Sequence, residues 1–169
     1  MTKLFIQNIK YLYFALMLGS LGISFLNNLS QRIISIILYT LPMKASIPFG
    51  YILFYKFSFL KIIFVITFPI ALLEKSLPFG GFLLFLMIFF GIVRNFKVPY
   101  FVRFNACQAL LLNIAIIIFS YILRIFPLIE LGYIVFTLIL AITIFSISRC
   151  IYGIEPEIPF ISKSVRMQI

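Results

Sequence analysis

Two stretches of this chain, Phe101–Phe126 and Leu131–Ile151, are each long and apolar enough to cross a bilayer. About 20 such residues in a helix cover the hydrocarbon core. Lipid offers no water to backbone N–H and C=O groups, so a continuous apolar run there must satisfy them within itself, as a helix does. The rest of the chain is of the same kind. Hydrophobic residues make up 64%, charged residues 11%, and the mean hydropathy is +1.21. Soluble domains run nearer half apolar and a quarter charged, so a chain this apolar could not cover its own core with polar surface.

Shorter apolar blocks precede these two. Tyr11–Leu26 follows Lys3 and Lys10 in the order of a signal peptide, but no small-x-small cleavage site comes after it, so a retained segment is expected. Ile33–Leu41 is too short to span and is expected to stop at Pro42. Tyr51–Leu73 is long enough if Lys56 and Lys61 snorkel toward one interface. Phe79–Val93 lies between Glu74-Lys75 and Arg94, and its Gly80-Gly81 pair suits close packing. The expected fold is all-α: a polytopic membrane helix bundle with four core transmembrane helices and an extra N-terminal membrane-associated segment. It divides as residues 1–50, a core at 51–151 and an inner-side tail at 152–169.

Loop charge sets the orientation. The Arg94, Lys97 and Arg103 link carries no acid, and the tail carries Arg149, Lys163 and Arg166 against Glu155 and Glu157. The positive-inside rule puts both on the inner side, with the Glu74-Lys75 and Pro127–Glu130 loops outside. The net charge of +10 is spread singly between apolar blocks. It therefore reads as topology and contact with membrane lipid, not as a nucleic-acid surface.

Little in the sequence suggests catalysis. It has no His, no glycine-rich phosphate loop, no nucleophile elbow and no metal-ligand cluster. Its two cysteines, Cys107 and Cys150, sit inside apolar blocks as small hydrophobes. Glu74, Glu130, Glu155 and Glu157 fall at span ends or in the tail, and none is expected at mid-membrane. Glu155 and Glu157 flank Pro156 in a segment that reads as extended and solvated. No catalytic residue, cofactor or metal is expected, and the chain does not read as an enzyme.

One span is informative. On a helix after Arg103, residues Asn105, Ala109, Leu112, Asn113, Ile116 and Ser120 share a face, while Leu111, Ile114, Ile118, Tyr121 and Ile122 occupy the other. A stripe with two amides and a hydroxyl should face other helices or a wet cavity. It can be interhelical glue or the lining of a water-accessible path.

The same residues carry a family resemblance. Phe101-Val102-Arg103-Phe104-Asn105-Ala106-Cys107-Gln108-Ala109, followed by Leu110-Leu111-Leu112-Asn113, resembles the arginine-phenylalanine-asparagine motif of one plastid family. That family is the twenty-kilodalton channel subunit of the translocon at the chloroplast inner envelope, with its cyanobacterial relatives. Gly91-Ile92-Val93-Arg94-Asn95, the tail from Glu157 to Ser162 with Met167-Gln168, and Tyr39-Thr40-Leu41-Pro42 with Pro48-Phe49-Gly50 are similar as well. The likeness runs from about Tyr39 to Ile169. It departs at Cys107, where the family has Met, and at Asn113, where it has Asp. The resemblance implies a four-span subunit of the inner envelope with both termini in the stroma. Its implied partners are other translocon subunits and preproteins in transit, and it implies no cofactor. Arg103, Phe104, Asn105, Gln108, Asn113 and Ser120 are the motif or path-lining candidates. A non-conducting scaffold and a small-molecule carrier are the competing readings.

Overall fold

The computed structural model describes residues 28–125 and 129–169, and every regular element among them is helical. The Tyr11–Leu26 block lies outside the described residues. Helix α1 covers residues 28–46 and continues through a 3-10 turn, Ile47–Gly50, into α2, Tyr51–Lys56. After a second 3-10 turn come α3, Ile62–Ser76, and α4, Gly81–Ile88, which runs on as a π turn over Phe89–Val93. Next are α5, Tyr100–Ile125, α6, Ile129–Ile151, and a short tail helix α7, Ile161–Gln168.

Three helices are long and apolar enough to cross a membrane: Asn28–Lys56, Tyr100–Ile125 and Glu130–Ile151. The pair Ser58–Ser76 and Gly81–Val93, bent by 103° at a short break, passes the same test only when taken together, as a broken span or a re-entrant loop. The all-α membrane bundle is thus present, but its early spans are cut differently from the sequence expectation. Ile33–Leu41 does not stop at Pro42; it belongs to the 29-residue Asn28–Lys56 span. Proline removes one N–H, yet in lipid every other backbone group still requires the helix, and neighbouring hydroxyls help. Thr40 and Ser46 donate to the Ile37 and Met43 carbonyls around it. Tyr51–Leu73 is not one span either. Phe57 is extended (φ −122°, ψ 94°), which leaves Tyr51–Lys56 on the first span and starts a new one.

The packing explains how the spans meet. The buried stripe of α6 runs Val135, Phe136, Ile139, Thr143, Ser146, Cys150, at helical spacing. The turn at the foot of α1 lies against this helix near its start. A Cβ on Gly50 would sit 2.8 Å from three carbons of the Phe136 ring, so glycine permits that approach. At the other end Arg32 Nη1 donates to the Ile151 carbonyl at 3.0 Å, over Gly153 in its left-handed conformation (φ +72°). Helix α1 is therefore antiparallel to α6. One end of the bundle holds Arg32, Arg149 and the tail; the other holds Gly50 and Gly132.

Candidate functional site

The first turns of α5 are enclosed on every side: Val102 through Leu110 are all buried. This is where the polar candidates cluster. Tyr39 Oη of α1 donates to Gln108 Oε1 at 2.7 Å and lies 3.0 Å from Asn105 Oδ1. Gln108 Nε2 donates to the Pro156 carbonyl at 3.0 Å and to Ser162 Oγ at 2.7 Å. Ile158 N–H donates to that same Ser162 oxygen, Asn105 Nδ2 donates to the Phe101 carbonyl, and Cys150 Sγ approaches Asn105 Oδ1 at 3.3 Å. A buried polar network is tolerable only when its members are satisfied, and here each amide is bonded at both its oxygen and its nitrogen.

The network joins α1, α5, the end of α6 and the tail. Three separated sequence patches thereby meet in space: Tyr39–Pro42, Arg103–Ala109 and Glu157–Ser162. Sequence periodicity found Asn105 but could not supply Tyr39 or Ser162, which lie 66 and 57 positions away in the chain.

Arg103 points to the same end. Its Nε donates to the Val93 carbonyl at 2.9 Å and its Nη2 to the Ile169 carbonyl at 3.2 Å, with the guanidinium 4.7 Å from the Phe96 ring centre. Phe104, fully buried, stacks near Tyr100 and under Arg166. Arg166 in turn bonds Glu157 at 2.8 Å and lies 3.5 Å from Glu155. The two tail carboxylates are thus held as ion-pair partners that close α7 onto the bundle.

Asn113 and Ser120 belong to a different environment. Asn113 is half-buried and lines a pocket of about 490 Å³ with Leu41, Lys44, Glu74, Gly81 and Phe85. Lys44 Nζ and Glu74 Oε2 form an ion pair there. Asn113 lies 12 residues from Ile125 and 13 from Tyr100, or about 18–20 Å from either end at 1.5 Å per residue. Glu74 is thus beside the middle of the longest apolar helix. Glu74, expected in a loop between spans, is instead paired with Lys44 of α1 and packed beside α5. The α3–α4 turn stands level with the middle of α5, since Glu74 and Gly81 on either side of it line the Asn113 pocket. Ile114 was expected opposite Asn113, yet it lines the same pocket, whose mouth wraps round the helix. Ser120 lies seven residues beyond Asn113, about 10 Å along the axis, and is half-buried.

The ion pair has a testable consequence. Glu74→Leu strands Lys44 beside apolar side chains. It is expected to cost about 1–3 kcal/mol, less than a fully buried pair, since both side chains keep over a quarter of their exposure. The swapped pair Lys44→Glu/Glu74→Lys should recover most of the loss in a detergent melting curve. Equal losses in the single and swapped chains would mean that the pair contributes nothing.

Among the described residues no group of three side chains could hold a metal ion. Comparison with known proteins gives a consistent picture. The family model "Chloroplast import apparatus Tic20-like" matches residues 27–165. "Protein TIC 20-v, chloroplastic" of Arabidopsis thaliana is 30% identical over 149 residues, 83% of this chain and 71% of that one. A "Tic20 family protein" of Synechocystis is 32% identical over 148 residues, covering 82% and 92%. "Tic20 family protein Ycf60" of Porphyra purpurea is 32% identical over 155 residues, covering 83% and 76%.

Proposed function

This chain belongs to the Tic20-like family of the chloroplast import apparatus, and on that premise we propose that it is a subunit of the plastid protein-import translocon that lines or supports the path of preproteins. The observation that carries the path reading is the pocket beside the middle of α5, where Asn113, Lys44 and Glu74 gather. Ionisable groups inside a membrane usually mark a route for polar cargo. Asn105 and Gln108 play a different part: bonded wholly within the protein, they hold the bundle and its tail together. The chain is thus scaffold at one end and path wall in the middle. Neither the ion pair nor the network calls for a cofactor or a chemical step.

We place the chain in the inner envelope with its tail toward the stroma. The tail end gathers Arg32, Arg94, Lys97, Arg103, Arg149, Lys163 and Arg166 against Glu155 and Glu157. The opposite end, where α5 ends and α6 begins (the hairpin end), carries Lys56, Lys61 and Arg124 with Glu130. The richer end faces inward. Single cysteines at Phe96 and Tyr152 should label from the stromal side of sealed vesicles, and one at Glu130 from the other. Labelling of Tyr152 and Glu130 positions from one side refutes the orientation. The function itself is tested with a photocrosslinker at Asn113 and an arrested preprotein. Adducts at Asn113, absent from the outward Ile118 position, support a path; adducts only to other subunits favour a scaffold.

A further inference from the structure

The α3–α4 elbow, Leu77 to Gly80, is the one place among the described residues where non-helical backbone stands level with the middle of α5. Its depth follows from its neighbours. Glu74 and Gly81, on either side of it, share a pocket with Asn113 and Lys44. From there α4 and its π turn climb along α5 to Val93, which meets Arg103. Helix α3 leaves the other way, bent by 103°, toward Phe54 and Phe136 near the hairpin end.

Such an elbow would be costly against lipid. Lys75, Ser76, Pro78 and Phe79 are all exposed. Lys75 has no ion-pair partner among the described residues. Irregular backbone at membrane depth survives only where protein covers it or water fills the space beside it. The turn is also specific in shape: Phe79 (φ 63°) and Gly80 (φ 51°) are both left-handed, an arrangement strained for phenylalanine. Water is favoured over a second copy as the neighbour. The adjoining pocket, though mostly apolar in its lining, carries Lys44, Glu74 and Asn113 and, at about 490 Å³, has room for a cluster of waters. A second copy would bring a further +10 of charge toward the unpaired Lys75.

We propose that the α3–α4 elbow faces a water-filled recess at mid-membrane depth, reached from the hairpin end, with Lys75 and Ser76 on its wall and the Lys44–Glu74 pair and Asn113 at its back. The recess opens toward the hairpin end because α4 seals against α5 on the tail side while α3 diverges from it. The inference rests on the path reading above and gives that path a wall made of named residues.

The test is thiol labelling of the full chain in liposomes, with Cys107→Ala and Cys150→Ala, using a small charged methanethiosulfonate added at the hairpin end. If that background fails to fold, the native chain serves, since both thiols are buried. Ser76→Cys and Phe79→Cys should react within about tenfold of a Glu130→Cys control, and Phe68→Cys, exposed on α3, about 100-fold more slowly, because only a hydrated thiol ionises and meets the reagent. Elbow thiols as slow as the Phe68 position overturn the proposal. So does slow labelling with an elbow-to-elbow disulfide, which would put a second copy there. Repeating the reaction with an arrested preprotein separates the two ideas. Protection of a reactive elbow supports both; a reactive elbow without protection keeps the recess and removes the preprotein from it.

Discussion

Gln108→Leu is expected to release the tail from the bundle and to destabilise the chain by about 2–4 kcal/mol. Gln108 is fully buried and takes part in three side-chain hydrogen bonds, to Tyr39, Pro156 and Ser162. Leucine nearly fills its volume, so the loss is polar rather than a cavity. The leucine leaves the Pro156 carbonyl with only a 3.4 Å contact from Ser162, and Tyr39 with Asn105 alone. Each lost bond is worth about 1 kcal/mol net, and each stranded group adds its own desolvation. In a chain of this size a loss of that order lowers Tm by about 5–15 °C. Trypsin gives the local readout, since Lys163 and Arg166 are exposed on α7. Faster cleavage there, with the α5–α6 core still protected, means an undocked tail. An unchanged Tm and cleavage rate would show that the tail is held by Ile158 and Val165 packing alone.

How much of this was legible in the sequence depends on the range of the interaction. Helices α5 and α6 could be read directly, because twenty or more apolar residues in lipid have few alternatives. Pro42 misled because the usual rule for proline is calibrated in water, where a broken helix can bond to solvent. Lys56 and Lys61 were read as snorkelling cations inside one span, whereas they flank the break at Phe57 that ends it. Glu74 was missed because a charge pair between short apolar runs looks like a loop. Only Lys44, thirty residues earlier, shows that it faces inward. The stripe from Asn105 to Ser120 was correctly on one face, but periodicity alone could not reveal that it passes from a sealed network to an open pocket. A signal did exist for the network: small and hydroxyl residues Thr143, Ser146 and Cys150 recur every three or four positions on α6, the spacing of a close helix contact.

The second large effect is expected at Arg103, where leucine should cost about 2–4 kcal/mol and lysine should restore less than half. Arg103 is a nearly buried cation, only 8% exposed, with no Asp or Glu side chain within ion-pair distance among the described residues. It also sits in the first turn of α5, where the helix dipole disfavours positive charge. What compensates is a set of acceptors. The Val93 carbonyl closes the π turn after α4, at the negative end of that helix, and the Ile169 carbonyl lies beyond α7. The Phe96 ring, 4.7 Å away, offers its face to the same guanidinium. These partners lie in different directions, and a planar fork with five donors reaches them together; a lysine ammonium reaches one or two. Leucine would leave both carbonyls unbonded and detach the Arg94–Val98 loop from the tail. The measurements are Tm in detergent and the yield of assembled complex on a native gel, for Arg103→Leu, Arg103→Lys and Phe96→Leu. If lysine equals the native chain in both, a point charge suffices and the fork is irrelevant. If Arg103→Leu and Phe96→Leu each lose stability but add up independently in the double variant, the ring and the guanidinium do not act together. Coupling of about 0.5–1 kcal/mol between them is the expected outcome.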